Sequence, residues 1–212
     1  MNRRVKRIGR AAVMAILACV PGACGRDHGS TGQEAAVLAR LDRVDAPQSF
    51  NTSQGPLLVE VNEAPPPPPS GDLFPGDDLV LHLRRPEGQE LASCPFHSSY
   101  GKFSLEVVQM DGRGLPEFVL IRGEGRGISA RRELLEVMTV AAGQFHTRLI
   151  TPLSDHFGDG AVWRYRHSYR RADDRGDVEI HMALEHTPLW NHLEDPSLIP
   201  PDPSRTIRVS VP

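Results

Sequence analysis

The sequence predicts an all-β fold, mainly an antiparallel sheet or a small sandwich. Short apolar segments recur along the chain, and turn residues separate them: the 212 residues include 19 glycines and 19 prolines. Two segments near the C-terminus, 162–171 and 177–186, alternate apolar and polar residues with the two-residue period of a β-strand. Regularly spaced strands of this kind are typical of sheets and sandwiches.

Residues 1–25 have the composition of an export signal. Five basic residues precede an uninterrupted apolar run, 11–20, and Pro21 and Gly22 end that run. A basic start followed by a short apolar region is typical of bacterial export signals. The run is too short to span the bilayer hydrocarbon core as a helix, which takes about 20 residues. We therefore expect the protein to be exported to the periplasm or the cell envelope.

Two cysteines in this region are candidates for a lipid anchor. Cys24 follows Pro-Gly-Ala and Cys19 follows Ile-Leu-Ala, and both segments resemble the lipobox that precedes a lipidated cysteine. We expect Cys24 to carry the lipid, with Cys19 as the alternative, so that the membrane surface is a partner. The same small residues around Cys24 also fit an ordinary cleavage site, and cutting after Gly25 would release a soluble protein.

The charge of the chain argues against nucleic acid as a partner. The full chain has 24 basic and 27 acidic residues, and the first 25 residues hold five of the basic ones, which leaves 19 against 27, a net charge of −8. Phosphate backbones are bound by clustered positive charge, which this balance does not provide.

Residues 26–71 are predicted to connect the signal to a β-rich domain at 72–212. Within this connection, apolar residues at helical spacing in 34–44 predict a short helix, and 57–61 predicts a short strand. Five successive prolines at 65–69 favour polyproline II, a stiff spacer.

Further strands are predicted along the β-rich domain. Residues 79–83 alternate, and 134–140 and 145–150 form a predicted hairpin. Residues 206–211 alternate after a proline-rich stretch and are expected to form an edge strand.

The most specific structural prediction is the register of the hairpin formed by 162–171 and 177–186. Arg170 should face Glu179 and Arg164 should face Glu185, because a one-residue slip would turn arginines toward the apolar side. This register gathers the aromatic and aliphatic side chains on one face: Trp163, Tyr165, His167, Tyr169, Val178, Ile180, Met182 and Leu184.

A strand–loop–strand pattern spans residues 103–122, with a glycine-containing loop at 110–117. The loop resembles the calcium-loop units of the FG-GAP and VCBS repeat families, in which Asp111 and Glu117 match acidic positions. The resemblance implies a β architecture and a binding role, often in exported proteins. Gln109 and Arg113 stand where the families usually have aspartate, and calcium needs six to eight oxygen ligands. We therefore expect a structural turn without a cofactor, and a calcium site at Asp111 and Glu117 is the alternative.

The polar face of the C-terminal hairpin is a candidate ligand site. Arg164, Arg166 and Arg170 lie on it, and a guanidinium group suits carboxylate ligands such as an acidic glycan. The alternative is that Glu179 and Glu185 neutralise these arginines across the hairpin.

The sequence favours a non-catalytic binding or structural role in the cell envelope, with an unknown protein or glycan as ligand. The alternative is a secreted hydrolase or metalloenzyme that uses His146, Asp155 and His156. The sequence contains no His-Glu-x-x-His or comparable metal-ligand spacing. An enzyme would need these three side chains in one concave pocket.

Overall fold

Alternating segments of the chain fold into β-strands that make two antiparallel sheets. The computed structural model describes residues 35–64, 77–99, 102–110, 114–125, 130–157, 160–171, 177–185 and 202–210. In these residues the strands are β1 (Ala36–Leu41), β2 (Gln48–Thr52), β3 (Gly55–Glu63), β4 (Asp77–Arg84), β5 (Glu90–Ser98), β6 (Phe103–Gln109), β7 (Glu117–Gly125), β8 (Ala130–Ala141), β9 (Gln144–Phe157), β10 (Gly160–Arg171), β11 (Val178–Glu185) and β12 (Ser204–Val209).

The predicted all-β class is confirmed. One sheet has eight strands in the order β1-β6-β7-β8-β9-β10-β11-β12, and the other has four in the order β2-β3-β4-β5. Every strand pair described is antiparallel.

The two sheets pack against each other around a first apolar core. Alternate residues of β3 and β4 face this core because side chains change sides at every residue of a strand. The eight-stranded sheet contributes alternate residues of β6 and β7 and one residue of β8. The buried members include Leu57, Val59, Val61, Leu79, Leu81, Leu83, Leu105, Val107, Phe118, Leu120 and Met138.

The opposite face of the eight-stranded sheet forms a second core, because β10, β11 and β12 pack over β6, β7 and β8. Its buried members include Val108, Val119, Leu135, Val137, Trp163, Tyr165, Tyr169, Val178, Ile180 and Met182. The central strands are therefore covered on both sides. This explains why β7 contains the unbroken apolar run Phe118–Ile121 instead of alternating apolar and polar residues. Successive side chains of this run contribute to the two cores in turn.

The predicted register of the C-terminal hairpin is confirmed. Arg170 pairs with Glu179 and Arg164 pairs with Glu185. Trp163, Tyr165 and Tyr169 are buried with the apolar residues of β11, while Arg166 and Arg170 remain exposed.

The predicted strands at 57–61, 79–83, 134–140 and 145–150 are confirmed as parts of β3, β4, β8 and β9. The predicted edge strand is confirmed as β12, which ends the order of the eight-stranded sheet.

The helix predicted at 34–44 is wrong. This segment contains β1, which pairs with β6 and carries a β-bulge between Val37 and Ala39. The bulge adds a residue to one strand and shifts its alternation, so Leu38, Ala39 and Leu41 all contact the first core. Together β1, β2 and β3 place residues 36–63 within the same two sheets as the strands from residue 77 onward.

Several sequence features lie outside the described residues. They are the export signal, Cys19, Cys24, the proline run at 65–69 and Asp111. Within the part of the chain that is described, no helix has the length and apolar character needed to cross a membrane.

Candidate binding cleft

A cleft forms where β10 separates from β9. The two strands pair only from Gly160 to Arg164 on β10. On β9 the pairing ends at Ser154. Two residues before it in the chain, the carbonyl oxygen of Pro152 accepts a hydrogen bond from Nη2 of Arg205 on β12, at 2.6 Å. Beyond Arg164, β10 therefore continues with β11 on one side and no described strand paired along its other side.

Two backbone hydrogen bonds define which residues of β10 face this open side. The amide of Ala35 donates to the carbonyl oxygen of Tyr169 (3.4 Å). The amide of Leu184 donates to the carbonyl oxygen of Pro203 (2.9 Å), so the backbone groups of Leu184 face β12 and not β10. A strand residue directs its N–H and its C=O to the same side, and the side alternates along the strand. Tyr165, His167 and Tyr169 therefore direct their backbone groups away from β11. The N–H of Tyr165 lies against Leu153 at the end of β9, because the pair of Arg164 with Ser154 is bonded through its neighbours, and His167 faces the cleft.

The cleft between β1 and β10 has a volume of about 540 Å³. Residues of β1 form one wall, residues 164–169 of β10 form the other, and the inner face of β6 to β9 forms the floor. We call it the β1–β10 cleft. Its lining comprises Ala35, Val37, Arg40, Glu106, Ile121, Glu133, Leu153, Arg164, Tyr165, Arg166, His167, Ser168, Tyr169 and Glu185.

Glu106 connects both walls of the cleft. Its Oε1 lies 2.9 Å from Nε of Arg40 on β1, and its Oε2 accepts a hydrogen bond from the Tyr169 hydroxyl at 2.9 Å. The His167 imidazole, with Nε2 at 3.9 Å from Oε2, contributes most to lowering the pKa of Glu106, and Tyr169 and Arg40 add to it. Burial, together with the adjacent negative charge, raises the pKa of Tyr169 far above its usual range. The carboxylate is therefore ionised and the phenol protonated at neutral pH.

A second polar cluster joins β8, β9 and β10 at the other end of the cleft. Oγ of Ser154 lies 2.5 Å from Oε2 of Glu133 and 2.8 Å from Nε2 of His156, and Nη2 of Arg164 lies 3.5 Å from Glu133. Burial alone would raise the pKa of Glu133, but the Ser154 hydrogen bond and the charges of Arg164 and His156 lower it overall. In a serine-protease triad, serine and carboxylate contact different imidazole nitrogens. Here Ser154 and Glu133 meet the same nitrogen, and Ser154 is fully buried.

The three arginines predicted as a ligand site have different environments. Arg166 makes a diagonal ion pair with Glu185 (3.0 Å), which is two residues from its register partner Ala183, and Arg164 binds Glu133. Arg170 is exposed on β10, outside the lining of the cleft. Glu179 contacts His181 (3.3 Å) and Arg208 (3.7 Å), and the latter comes from β12.

The residues of the enzymatic alternative do not converge. His146 pairs with Thr139 near the start of β9, whereas His156 lies near its end. Ten strand residues at about 3.3 Å each separate the two histidines by roughly 30 Å. Asp155 is buried and binds Arg132 at 3.2 Å. Among the described residues, no group of three or more histidine, cysteine or acidic side chains is arranged to hold a metal.

The loop between β6 and β7 contains the residues that carried the calcium-loop resemblance. The predicted strand–loop–strand arrangement is confirmed by the antiparallel pairing of β6 and β7. Glu117 is buried, and its Oε2 accepts the backbone N–H of Met110 at 2.9 Å. Gly114 has a φ of 63°, a conformation that favours glycine. Glu117 thus stabilises the loop through a backbone contact.

The alternation of the hairpin places His167 and Tyr169 on its apolar face and gives no role to Glu106 or Glu133. One signal in the sequence is that Glu106 shares a face of β6 with Val108, which belongs to the second core, and a half-buried carboxylate there needs charged or hydrogen-bonding partners.

The fold and the cleft define an all-β protein with a polar cleft between two strand edges. Comparisons with protein-family models, with curated proteins and with solved structures gave no match.

Proposed function

We propose that this protein is an exported, lipid-anchored binding protein of the cell envelope, without catalytic activity, whose ligand occupies the β1–β10 cleft. The anchor follows from the sequence around Cys24, with Cys19 as the alternative. The observation that carries the binding role is the cleft itself. Its walls are strands, and the cluster around Glu106 fixes one wall to the other.

The ionisation of the cleft argues against a general acid there. Glu106 and Glu133 both have a lowered pKa and are deprotonated at neutral pH, whereas a general acid must hold a proton. Outside the cleft, burial raises the pKa of the Cys94 thiol, which makes it a weaker nucleophile.

The charge pairing supports a ligand other than a simple polyanion. Arg40, Arg164 and Arg166 each have a carboxylate partner within the cleft. An acidic glycan would have to displace these partners, so the predicted anion-binding role of the arginines is less favourable than a ligand that leaves the pairs intact.

The anchor is tested by mass analysis of the mature N-terminus from membrane and soluble fractions. We expect a lipid-modified Cys24 in the membrane fraction, and loss of membrane association in Cys24→Ser but not in Cys19→Ser. An unmodified N-terminus at Arg26 in the soluble fraction would contradict the anchor.

The binding role is tested by thermal unfolding of the mature protein with soluble peptides and glycans released from cell envelopes. A ligand at 100 times its Kd stabilises the native state by about 2.7 kcal/mol. We expect the unfolding temperature to rise for the wild type and for Ile150→Trp, a change at an exposed position outside the lining of the cleft, but not for Val37→Trp, which fills the cleft. Chemical conversion of the ligand, seen by mass and lost in His156→Ala, would instead support the enzyme.

A further inference from the structure

We infer that the β1–β10 cleft binds an extended peptide segment as an added β-strand, through main-chain hydrogen bonds to the open edge of β10. This inference rests on the proposed binding function and names the class of its ligand. It follows from the backbone groups that face the cleft, from the charge pairing of its side chains and from two apolar residues on its floor, Ile121 and Leu153.

The open edge of β10 offers the groups that strand addition requires. His167 directs both its N–H and its C=O into the cleft. Tyr165 adds its C=O and Tyr169 its N–H, because the N–H of Tyr165 lies against Leu153 of β9 and the C=O of Tyr169 accepts the amide of Ala35. From Tyr165 to Tyr169 the edge measures about 13 Å, at about 3.3 Å per residue. An extended segment of about four residues matches this length. In strand addition, such main-chain hydrogen bonds supply much of the affinity.

The facing wall limits how a peptide can enter. At one end, the Ala35–Tyr169 hydrogen bond joins β1 directly to β10. At the opposite end, β9 pairs with β10 as far as Arg164. A peptide therefore enters from the solvent side, past the exposed side chains of Val37 on β1 and Arg166 on β10.

The side chains of the cleft indicate which peptides fit. Ile121 and Leu153 lie among its lining residues and pack against the second core. Because side chains alternate along an extended peptide, every second residue would face this floor. The arginines that line the walls are already paired with carboxylates. The preferred ligand is therefore an extended segment with apolar residues at alternate positions and no large net charge.

The test uses the complete mature protein and a defined probe. The probe is a fluorescent eight-residue peptide in which threonine and valine alternate between terminal lysines. A matched peptide carries a methyl group on every amide nitrogen between the lysines, which keeps the side chains but removes the main-chain donors. Binding is followed by fluorescence anisotropy. We expect saturable binding of the first peptide and at least tenfold weaker binding of the methylated one.

A matched pair of protein variants locates the edge. His167→Pro removes an N–H that faces the cleft and leaves the hydrogen bonds to β11 in place, since proline is tolerated where the N–H points away from the partner strand. Arg208→Pro is the control, because it removes an outward N–H on β12, at the far edge of the same sheet. We expect at least tenfold weaker binding for His167→Pro and unchanged binding for Arg208→Pro, with circular dichroism and thermal unfolding reporting the fold of each.

A second measurement decides the question if His167→Pro does not fold. In the wild type, saturating peptide should slow hydrogen exchange of the His167 and Tyr169 amides at least tenfold. Unchanged exchange at both amides would overturn the inference.

The outcomes separate the inference from the function on which it rests. Equal binding of the methylated peptide, or loss of binding in Arg208→Pro alone, would overturn strand addition in this cleft. Absence of binding at peptide concentrations up to 1 mM would also overturn strand addition, because a Kd of 1 mM corresponds to a binding free energy of only about −4 kcal/mol. In each case, the thermal unfolding test with Val37→Trp still decides whether the cleft binds another ligand.

Discussion

The contact between Tyr169 and Glu106 should contribute measurably to stability, because it joins β10 to β6 across the second core. Tyr169→Phe removes one hydroxyl group and leaves the ring in place. The Glu106 carboxylate then loses one hydrogen bond but keeps Arg40 at 2.9 Å. Hydrogen bonds to charged groups contribute about 1.5–3 kcal/mol. Since Arg40 still compensates the charge, we expect Tyr169→Phe to lower the free energy of unfolding by about 1.5 kcal/mol, at the lower end of that range.

The pH dependence of this loss follows from the lowered pKa of Glu106. His167, Tyr169 and Arg40 favour its ionised form in the folded state, so the pKa of Glu106 in the folded protein lies below the ordinary value for a glutamate. A lowered folded-state pKa stabilises the protein above the unfolded-state pKa, and this stabilisation disappears as the pH falls through the folded-state value. The difference between wild type and Tyr169→Phe should therefore be largest at pH 6–7 and shrink below about pH 4.

Urea denaturation at pH 7 and at pH 3.5, followed by circular dichroism, measures both effects. A double-mutant cycle with Glu106→Gln isolates the pairwise term. Equal stability of wild type and Tyr169→Phe at pH 7, or additive effects of the two substitutions, would refute the proposed coupling of the two strands.

Three further predictions concern other parts of the fold. Met138→Ala in the first core should lower the free energy of unfolding by about 2–5 kcal/mol, while Ile150→Ala at an exposed position should change it by less than about 0.5 kcal/mol. Equal losses of the two variants in urea denaturation would contradict the packing of the two sheets around the first core. Glu117→Ala should lower the free energy of unfolding by about 1–3 kcal/mol, because the Met110 amide loses its acceptor. Calcium should leave the thermal unfolding temperature of the wild type unchanged, and a calcium-dependent rise would instead support the metal site. Burial raises the pKa of Tyr169 in the folded state, so the unfolded state releases the phenol proton at a lower pH. Stability should therefore fall above about pH 10, and it should fall less steeply in Tyr169→Phe. Parallel profiles of unfolding temperature for the two proteins from pH 8 to 11 would argue against a buried phenol.

The sequence was most informative where local alternation and burial agree. The hairpin of β10 and β11 could be placed in register because its arginines and its aromatic side chains occupy opposite faces. The same reasoning failed for β1. Its bulge between Val37 and Ala39 interrupts the two-residue period and leaves apolar residues at helix-like spacing. Pairing with β6, some 70 residues later in the chain, determines the conformation of this segment.

The cleft could not be predicted because it depends on contacts that are distant in sequence. It exists because β10 pairs with β9 only as far as Arg164, and because the start of β1 lies beside the end of β10. Neither feature has a local signature in the sequence. The hydrogen bond from Arg205 on β12 to the carbonyl oxygen of Pro152 likewise joins residues 53 positions apart.

Amide hydrogen exchange along β10, measured by NMR without ligand, tests most directly whether this strand has an open edge. Arg166 and Ser168 should be protected because their amides donate to β11, whereas His167 should exchange at least tenfold faster. Uniform protection from Arg166 to Ser168, or faster exchange at Arg166 and Ser168 than at His167, would contradict the account.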